Sequence, residues 1–206
     1  MPQYGLTRLY EDFHNTISEL CVIVTTLATR SQCLERDVHI EGCFLRAVVT
    51  WENFIEAYFL RCMCSAKTRD GVILKPKTTC SVNPNKAFER LRATNIMPEQ
   101  DYANWLSYDK LKRLLNEYFH HRSRLQRICD SPEQFHALVT IRNAIAHRSK
   151  SAIDRFKRYV IDKHGYLTST NLSMADLLIT EKRSNSQLIF IDLIDYFDDL
   201  ADILTK

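Results

Sequence analysis

Glycine and proline are scarce in this chain, and their scarcity limits the folds that it can adopt. The 206 residues include only 4 glycines and 5 prolines, which leaves few positions suited to tight turns. Sandwiches and barrels need many such turns, whereas helical bundles need few. Apolar residues also recur at helical spacing along two long stretches, about residues 6–30 and 38–64. We therefore predict an all-α protein that contains two long helices.

Shorter helices are expected to follow the two long ones. The predicted segments are 85–93, 108–121, 132–147, a helix capped by Ser149 or Ser151 that ends near residue 164, and 187–204. The clearest interruption is 68–84, which contains the turn-forming pairs Asp70-Gly71, Lys75-Pro76 and Asn83-Pro84, and we predict an exposed loop there with room for a short strand at 72–74. No other linker is long enough to separate two domains, so we expect a single domain over residues 1–206.

The charged residues are distributed unevenly along the chain. The formal net charge of +3 is too small to indicate a nucleic-acid-binding protein by itself. Basic residues concentrate in 110–127 and 142–163, however, while five aspartates lie between 192 and 202. A basic middle region followed by an acidic tail is compatible with a surface that faces phosphates. Ordinary solvated helix faces are the alternative explanation.

The cysteines indicate neither a disulfide framework nor a metal site. Their number is odd, 7, and no two of them stand in a Cys-x-x-Cys arrangement. We expect free thiols in a reducing compartment, with no metal and no cofactor. The sequence starts without the features of a secretory signal, and no apolar run is long enough to cross a bilayer. A cytoplasmic protein without membrane contact is therefore expected.

The segment that carries candidate chemistry is Arg142-Asn143-Ala144-Ile145-Ala146-His147, at the end of the predicted helix 132–147. On a helix, residues four apart differ by about 40° around the axis and residues five apart by about 140°. Asn143 and His147 are thus predicted to share a face. Arg142 has to curl round the helix to reach them, so one copy of the segment is expected to form only half of a site.

This Arg-Asn-x-x-x-His helix, placed after two long helices, resembles the motif of the HEPN superfamily, in which four to six residues separate an arginine from a histidine. The nearest group is the RiboL-PSP-like HEPN proteins. The resemblance covers about residues 6–160 in helix order and about ten residues in motif. It implies a helical bundle with two long antiparallel helices and shorter C-terminal ones. It also implies a homodimer whose active site lies at the interface.

The activity that the resemblance implies is metal-independent RNA cleavage in a defence or toxin–antitoxin setting, where an antitoxin or defence-system partner can restrain it. His147 would take the proton of an RNA 2′-hydroxyl or return one to the leaving 5′-oxygen. Arg142 would hold the scissile phosphate, and Asn143 would orient the histidine or bind the phosphate. The expected products carry a 2′,3′-cyclic phosphate and a 5′-hydroxyl, and DNA is expected to survive.

Residues outside the motif complete the predicted site. Family members can support the site with a polar residue of the second long helix, and Glu52 and Glu56 are the candidates here, with Arg46 behind them. The basic residues predicted to contact RNA are Arg122, Arg124, Arg148 and Lys150.

Less specific explanations exist for each of these residues. His147 can be a histidine favoured by the helix dipole at a C-terminus, and Arg142 can be an ion-pair partner of Glu133. Glu52 and Glu56 can belong to a solvated face. For the whole chain, the alternatives are a non-catalytic HEPN module that binds nucleic acid or protein, and a helical structural subunit. One HEPN subfamily carries a tyrosine two residues after the histidine, where this chain has Ser149.

Overall fold

The structure is a computed structural model that describes residues 5–77, 84–92, 105–121, 123–164, 173–181 and 187–206. Its helices are α1 (Leu6–Ala28), α2 (Leu34–Met63), α3 (Pro84–Arg92), α4 (Tyr108–Tyr118), a 3-10 helix (Arg124–Cys129), α5 (Pro132–His147), α6 (Lys150–His164), α7 (Met174–Leu178) and α8 (Ile189–Thr205). Within these described ranges, extended pairing is limited to the isolated bridges Lys67–Ile73 and Glu181–Leu188. The prediction of an all-α fold is confirmed.

The N-terminus of α2 lies earlier than the apolar spacing predicted. The helix begins at Leu34 rather than near residue 38. Cys33 caps its first turn, because the Cys33 sulfur accepts a hydrogen bond from the backbone N–H of Arg36 at 3.5 Å. Glu35 and Asp37 place negative charge in that turn, where the helix dipole favours it. Helix ends are therefore decided here by polar contacts that apolar spacing does not report.

The chain divides into two compact units, each made of segments that are distant in sequence. The first unit consists of Met1–His14, Trp51–Pro132 and Asp198–Lys206, and the second of Asn15–Thr50 and Glu133–Phe197. We describe each unit by itself.

Aromatic side chains form the centre of the first unit. The Phe59 ring lies 5.4 Å from the Trp105 ring and 5.3 Å from the Phe119 ring, centroid to centroid. Buried Tyr58 donates its hydroxyl hydrogen to the Leu204 carbonyl at 2.9 Å, which satisfies a phenol that burial would otherwise penalise. These contacts join residues of α2 and α8 to the segment around Trp105.

Two aromatic pairs lie in the core of the second unit. Phe44 of α2 packs edge-on against Phe190 of α8 with 6.2 Å between ring centroids. Phe135 of α5 packs in the same manner against Phe197, at 5.4 Å. All four rings are almost fully buried. The second pair packs the N-terminal half of α5 against α8, and the candidate site lies at the other end of α5.

The predicted loop between α2 and α3 is attached to the C-terminus in the part that the structure describes. Residues 68–77 follow α2, and the backbone N–H of Arg69 donates to the Thr205 carbonyl at 2.8 Å. The strand expected at 72–74 reduces to a single bridge. Residues 78–83 of the predicted loop lie outside the described residues. The described part of the loop is thus held by the end of α8.

The carboxylate of Asp70 in this loop makes the stability of the fold depend on pH. Its carboxylate accepts hydrogen bonds from Arg124 Nη2 at 2.8 Å and from the Thr68 hydroxyl, and these lower its pKa from the ordinary 3.8 to about 2. A carboxyl whose folded pKa is depressed stabilises the fold above its unfolded pKa, and the stabilisation is lost as pH falls through the folded value. Asp70→Asn is therefore expected to lower the urea midpoint at pH 7, with the difference from wild type shrinking between about pH 4 and pH 2.

The matched control for Asp70→Asn is Asp162→Asn, which removes an exposed carboxylate on α6. This substitution should leave the urea midpoint close to that of the wild type at every pH, because isolated exposed charges contribute little. A deficit of Asp70→Asn that stayed constant down to pH 2 would show that the carboxylate charge is not the cause.

The described cysteines are free thiols: Cys21, Cys33, Cys43, Cys62, Cys64 and Cys129. Burial raises the pKa of the Cys43, Cys62 and Cys129 thiols, which keeps these three protonated at neutral pH. Cys80 lies outside the described residues. Among the helices that the structure describes, none combines the length and apolar character needed to cross a bilayer.

Candidate active site at the end of α5

The candidate site lies where α5 ends and α6 begins. The predicted helix 132–147 is confirmed as α5, with His147 as its last residue. Arg148 then adopts the left-handed conformation, with φ of 45°, and its N–H donates to the Ala144 carbonyl at 3.2 Å. Ser149 caps α6 by accepting a hydrogen bond from the Ala152 N–H at 3.3 Å, which decides between the two serines predicted for this role. Only two residues separate the helices.

Arg142, Asn143 and His147 form one hydrogen-bonded cluster. Arg142 Nη1 donates to Asn143 Oδ1 at 2.9 Å and lies 3.4 Å from His147 Nε2. A guanidinium can only donate, so this contact is a hydrogen bond only in the tautomer of His147 whose Nε2 carries no proton. Arg142 was expected to reach the other two residues only by curling round the helix, and its side chain does so. The backbone positions of Arg142 and His147 point about 140° apart, but the long arginine side chain spans that angle.

The cluster is open to solvent on one side and anchored on the other. His147 is exposed, while Arg142 and Asn143 are half-buried. The anchors are Ala144 and Ile145, which are buried between these polar positions. An exposed histidine beside a half-buried guanidinium at a helix end can be reached by a large ligand such as a polynucleotide.

Glu41 is a site-adjacent residue that the sequence did not single out. Its buried carboxylate accepts a hydrogen bond from Arg148 Nη2 at 2.6 Å. Because 107 positions separate the two residues, the pairing had no local signature. The sequence feature that could have indicated it is the position of Glu41 next to Ile40, on the apolar side of α2. A carboxylate at the edge of an apolar helix face needs a cationic partner. This ion pair attaches the turn after His147 to α2.

The supporting residues predicted on α2 lie in different surroundings. Glu52 is buried, and Glu56 accepts a hydrogen bond from Trp105 Nε1 at 2.6 Å. Both belong to the first unit, whereas Arg142, Asn143 and His147 belong to the second. Arg46 lies in the second unit with an exposed side chain.

Two of the four predicted RNA-binding residues are held in ion pairs within the chain. Arg148 pairs with Glu41, and Arg124 Nη2 lies 2.8 Å from Asp70 Oδ2. Lys150 is exposed at the first turn of α6. The fourth residue, Arg122, lies outside the described residues.

The part of the chain that the structure describes contains no group of three or more His, Cys, Asp or Glu side chains placed to hold a metal ion. No family model, curated protein or solved structure matches the chain.

Proposed function

We propose that this protein is a metal-independent endoribonuclease of the HEPN type. The observation that supports the proposal is the clustering of Arg142, Asn143 and His147 at one exposed helix end, with 3.4 Å between the guanidinium and the imidazole. Attack by an RNA 2′-hydroxyl needs at least a cation that binds the phosphate and a nearby group that accepts the hydroxyl proton. Arg142 and His147 can supply these two groups.

The proposed reaction begins when the Arg142 side chain binds the scissile phosphate of the RNA. Two charge-assisted hydrogen bonds from the guanidinium to the scissile phosphate are stronger than its 3.4 Å contact with His147. The guanidinium therefore turns to the phosphate. Nε2 of His147 is then free to accept the 2′-hydroxyl proton. The 2′-oxygen bonds to phosphorus, the bond from phosphorus to the 5′-oxygen breaks, and a proton must reach that leaving oxygen. The products are a 2′,3′-cyclic phosphate and a 5′-hydroxyl.

Asn143 acts as a positioning residue in this scheme. Its Oδ1 accepts a hydrogen bond from Arg142 Nη1, which limits the orientations of the guanidinium. The side-chain NH₂ group of Asn143 still has hydrogens to donate to a phosphate oxygen. One His147 cannot be base and acid in the same step, and the HEPN resemblance implies that a second copy supplies the second histidine.

The test is cleavage of RNA in the presence of EDTA. Purified protein is expected to cut a single-stranded RNA and to leave intact the same sequence as DNA or with 2′-O-methyl groups throughout. The new 3′ ends should resist phosphatase until acid opens the cyclic phosphate. Intact RNA at every protein concentration, or equal cleavage of the DNA, would refute the proposal.

A non-catalytic RNA-binding module is the second candidate. The exposed residues of α6 favour it, because four of them are cationic (Lys150, Arg155, Lys157 and Arg158) and two are anionic (Asp154 and Asp162), which gives the helix that starts beside His147 a net positive charge. The same incubation distinguishes the two functions. Under this alternative, RNA is retarded on a native gel, with weaker binding at higher salt, and recovered uncut.

A further inference from the structure

A pocket in the second unit is lined by residues other than those of the candidate site. Its volume is about 640 Å³, which lies within the range of small-molecule sites, about 300–1,000 Å³. The lining comes from the end of α1, the segment that follows α7 and the start of α8, all of which belong to the second unit. We call this cavity the α1–α8 pocket.

The apolar part of the lining is aliphatic. It consists of Ala28, Ile179, Leu188 and Ile191, each of which is half-buried. Their exposed parts give a bound hydrocarbon chain apolar surface to cover, which removes both from water. The described lining contains no aromatic ring that could stack on a flat ligand. An aliphatic ligand therefore fits this pocket better than an aromatic one.

The hydroxyl groups of the lining are left as acceptors. Thr25 and Thr29 donate their hydroxyl hydrogens to backbone carbonyls of α1, both at 2.8 Å. A hydroxyl has a single hydrogen, so the two oxygens can only accept from a ligand. Gln187 also lines the pocket, and its Nε2 donates to Asp195 at 2.6 Å. The pocket thus favours a ligand that is rich in donors.

The charges at the α1–α8 pocket favour a cation. The Glu181 carboxylate is exposed, and no cation in the described part of the chain forms an ion pair with it. A helix C-terminus carries partial negative charge, and the last turn of α1 contains no basic residue. The start of α8 carries the opposite partial charge, which Asp192 in its first turn offsets.

We propose that the α1–α8 pocket binds a small primary amine with an aliphatic chain. The ammonium group donates to the Glu181 carboxylate, with the oxygens of Thr25 and Thr29 as further acceptors, and the chain lies on the aliphatic residues. An ammonium has three hydrogens and no acceptor, which matches oxygens whose own hydrogens are already donated. The inference is independent of the proposed ribonuclease function, and its test uses no RNA.

Three probes with the same chain test the head group: octylamine, 1-octanol and octanoate. At pH 7 they are a cation, a neutral molecule and an anion. We expect octylamine to bind with a dissociation constant of about 1 mM or lower, at least about tenfold below that of 1-octanol, because charge-assisted hydrogen bonds are the stronger ones. Octanoate should show no saturable binding.

NMR of the isoleucine methyl groups during these titrations measures affinity and location together. The signals of Ile179 and Ile191 should shift as octylamine is added, because both side chains line the pocket. The variants Ile179→Val and Ile191→Val assign these signals. The signal of Ile55, which belongs to the first unit, should stay in place.

Glu181→Gln removes the charge and keeps the shape of the side chain. Because Glu181 is exposed, the variant should fold like the wild type by circular dichroism. Octylamine should bind it at least about tenfold more weakly, and 1-octanol within about twofold of wild type. The matched control is Glu19→Gln, which removes an exposed carboxylate of α1 that does not line the pocket and should leave both affinities unchanged.

Four results would overturn the inference. They are the absence of saturable octylamine binding, equal affinity for the three probes, wild-type affinity of Glu181→Gln for octylamine, and methyl shifts confined to isoleucines outside the pocket. The peptide acetyl-Leu-Lys-Leu-amide carries the same ammonium group on a polypeptide. Tighter binding of this peptide than of octylamine at Ile179 and Ile191 would assign the pocket to a protein partner and would also refute a small-molecule site.

Discussion

His147→Ala is expected to lower the rate of RNA cleavage by about 10²–10⁴-fold, the range typical for loss of a general acid or base. The imidazole Nε2 next to Arg142 is the proton acceptor in the proposed reaction, and alanine offers none. RNA binding should change little, because the phosphate contacts come from Arg142 and nearby cations. The measurement is a single-turnover rate with end-labelled RNA in EDTA, together with the RNA dissociation constant.

His136→Ala is the matched control for this prediction. His136 is an exposed histidine earlier on the same helix, so its loss tests whether any imidazole on α5 affects the rate. We expect cleavage within about twofold of wild type for this variant, which retains the acid–base group. A His147→Ala preparation that cuts RNA at the wild-type rate would assign the activity to another nuclease or to other residues.

The contribution of the Arg142 guanidinium to RNA cleavage can be tested in the same assay with a conservative substitution. Arg142→Lys keeps the charge but loses the planar fork that binds two phosphate oxygens and contacts Asn143. Its rate should lie between those of the wild type and Arg142→Ala. Equal rates for all three would remove the guanidinium from the proposed reaction.

Arg36→Ala is expected to reduce the free energy of unfolding by about 3 kcal/mol, the lower end of the range for breaking a buried ion pair. The Arg36 guanidinium is 6% exposed and donates from Nη2 to Asp37 at 2.6 Å and to Asp176 at 2.8 Å. Removing it leaves two carboxylates without their cation in a region of limited solvent. Because these carboxylates stay 18% and 24% exposed, water can screen part of the loss.

Urea unfolding followed by circular dichroism measures this effect. The control is Arg8→Ala, whose ion pair with Asp12 is exposed on both sides, at 89% and 71%, and should contribute little. The combined variant Arg36→Ala with Asp176→Asn should lose less free energy of unfolding than the sum of the two single variants, because both substitutions remove the same ion pair. A cost for Arg36→Ala no larger than that for Arg8→Ala would contradict the prediction.

Local signals allowed much of the helical structure to be predicted. Pro132 suits the first turn of a helix, and the apolar spacing after it continues to His147, so both ends of α5 were predicted as the structure has them. Less regular elements were missed. The 3-10 helix Arg124–Cys129 has no long apolar period, and its N-terminus is capped by Ser123, whose hydroxyl accepts from the Leu125 N–H at 3.4 Å.

The candidate site was predictable only in its residue types. Arg142, Asn143 and His147 stand in one short segment, and helical geometry predicted that Asn143 and His147 share a face. Backbone angles alone could not show that Arg142 reaches His147, because that contact depends on the rotamers of a long, flexible side chain. The role of Arg148 changed for a similar reason. An exposed cation in the sequence became the partner of Glu41 once α2 and α5 were placed together.

The amino-acid sequence by itself determined the helical class and the position of the Arg-Asn-x-x-x-His segment at a helix end, because both depend on spacing along one stretch of chain. Only the tertiary structure decided which charges are paired. Glu41 with Arg148 and Arg36 with Asp176 join residues 107 and 140 positions apart. Which residues pair depends on which helices pack together, and apolar periodicity along the chain does not predict that packing.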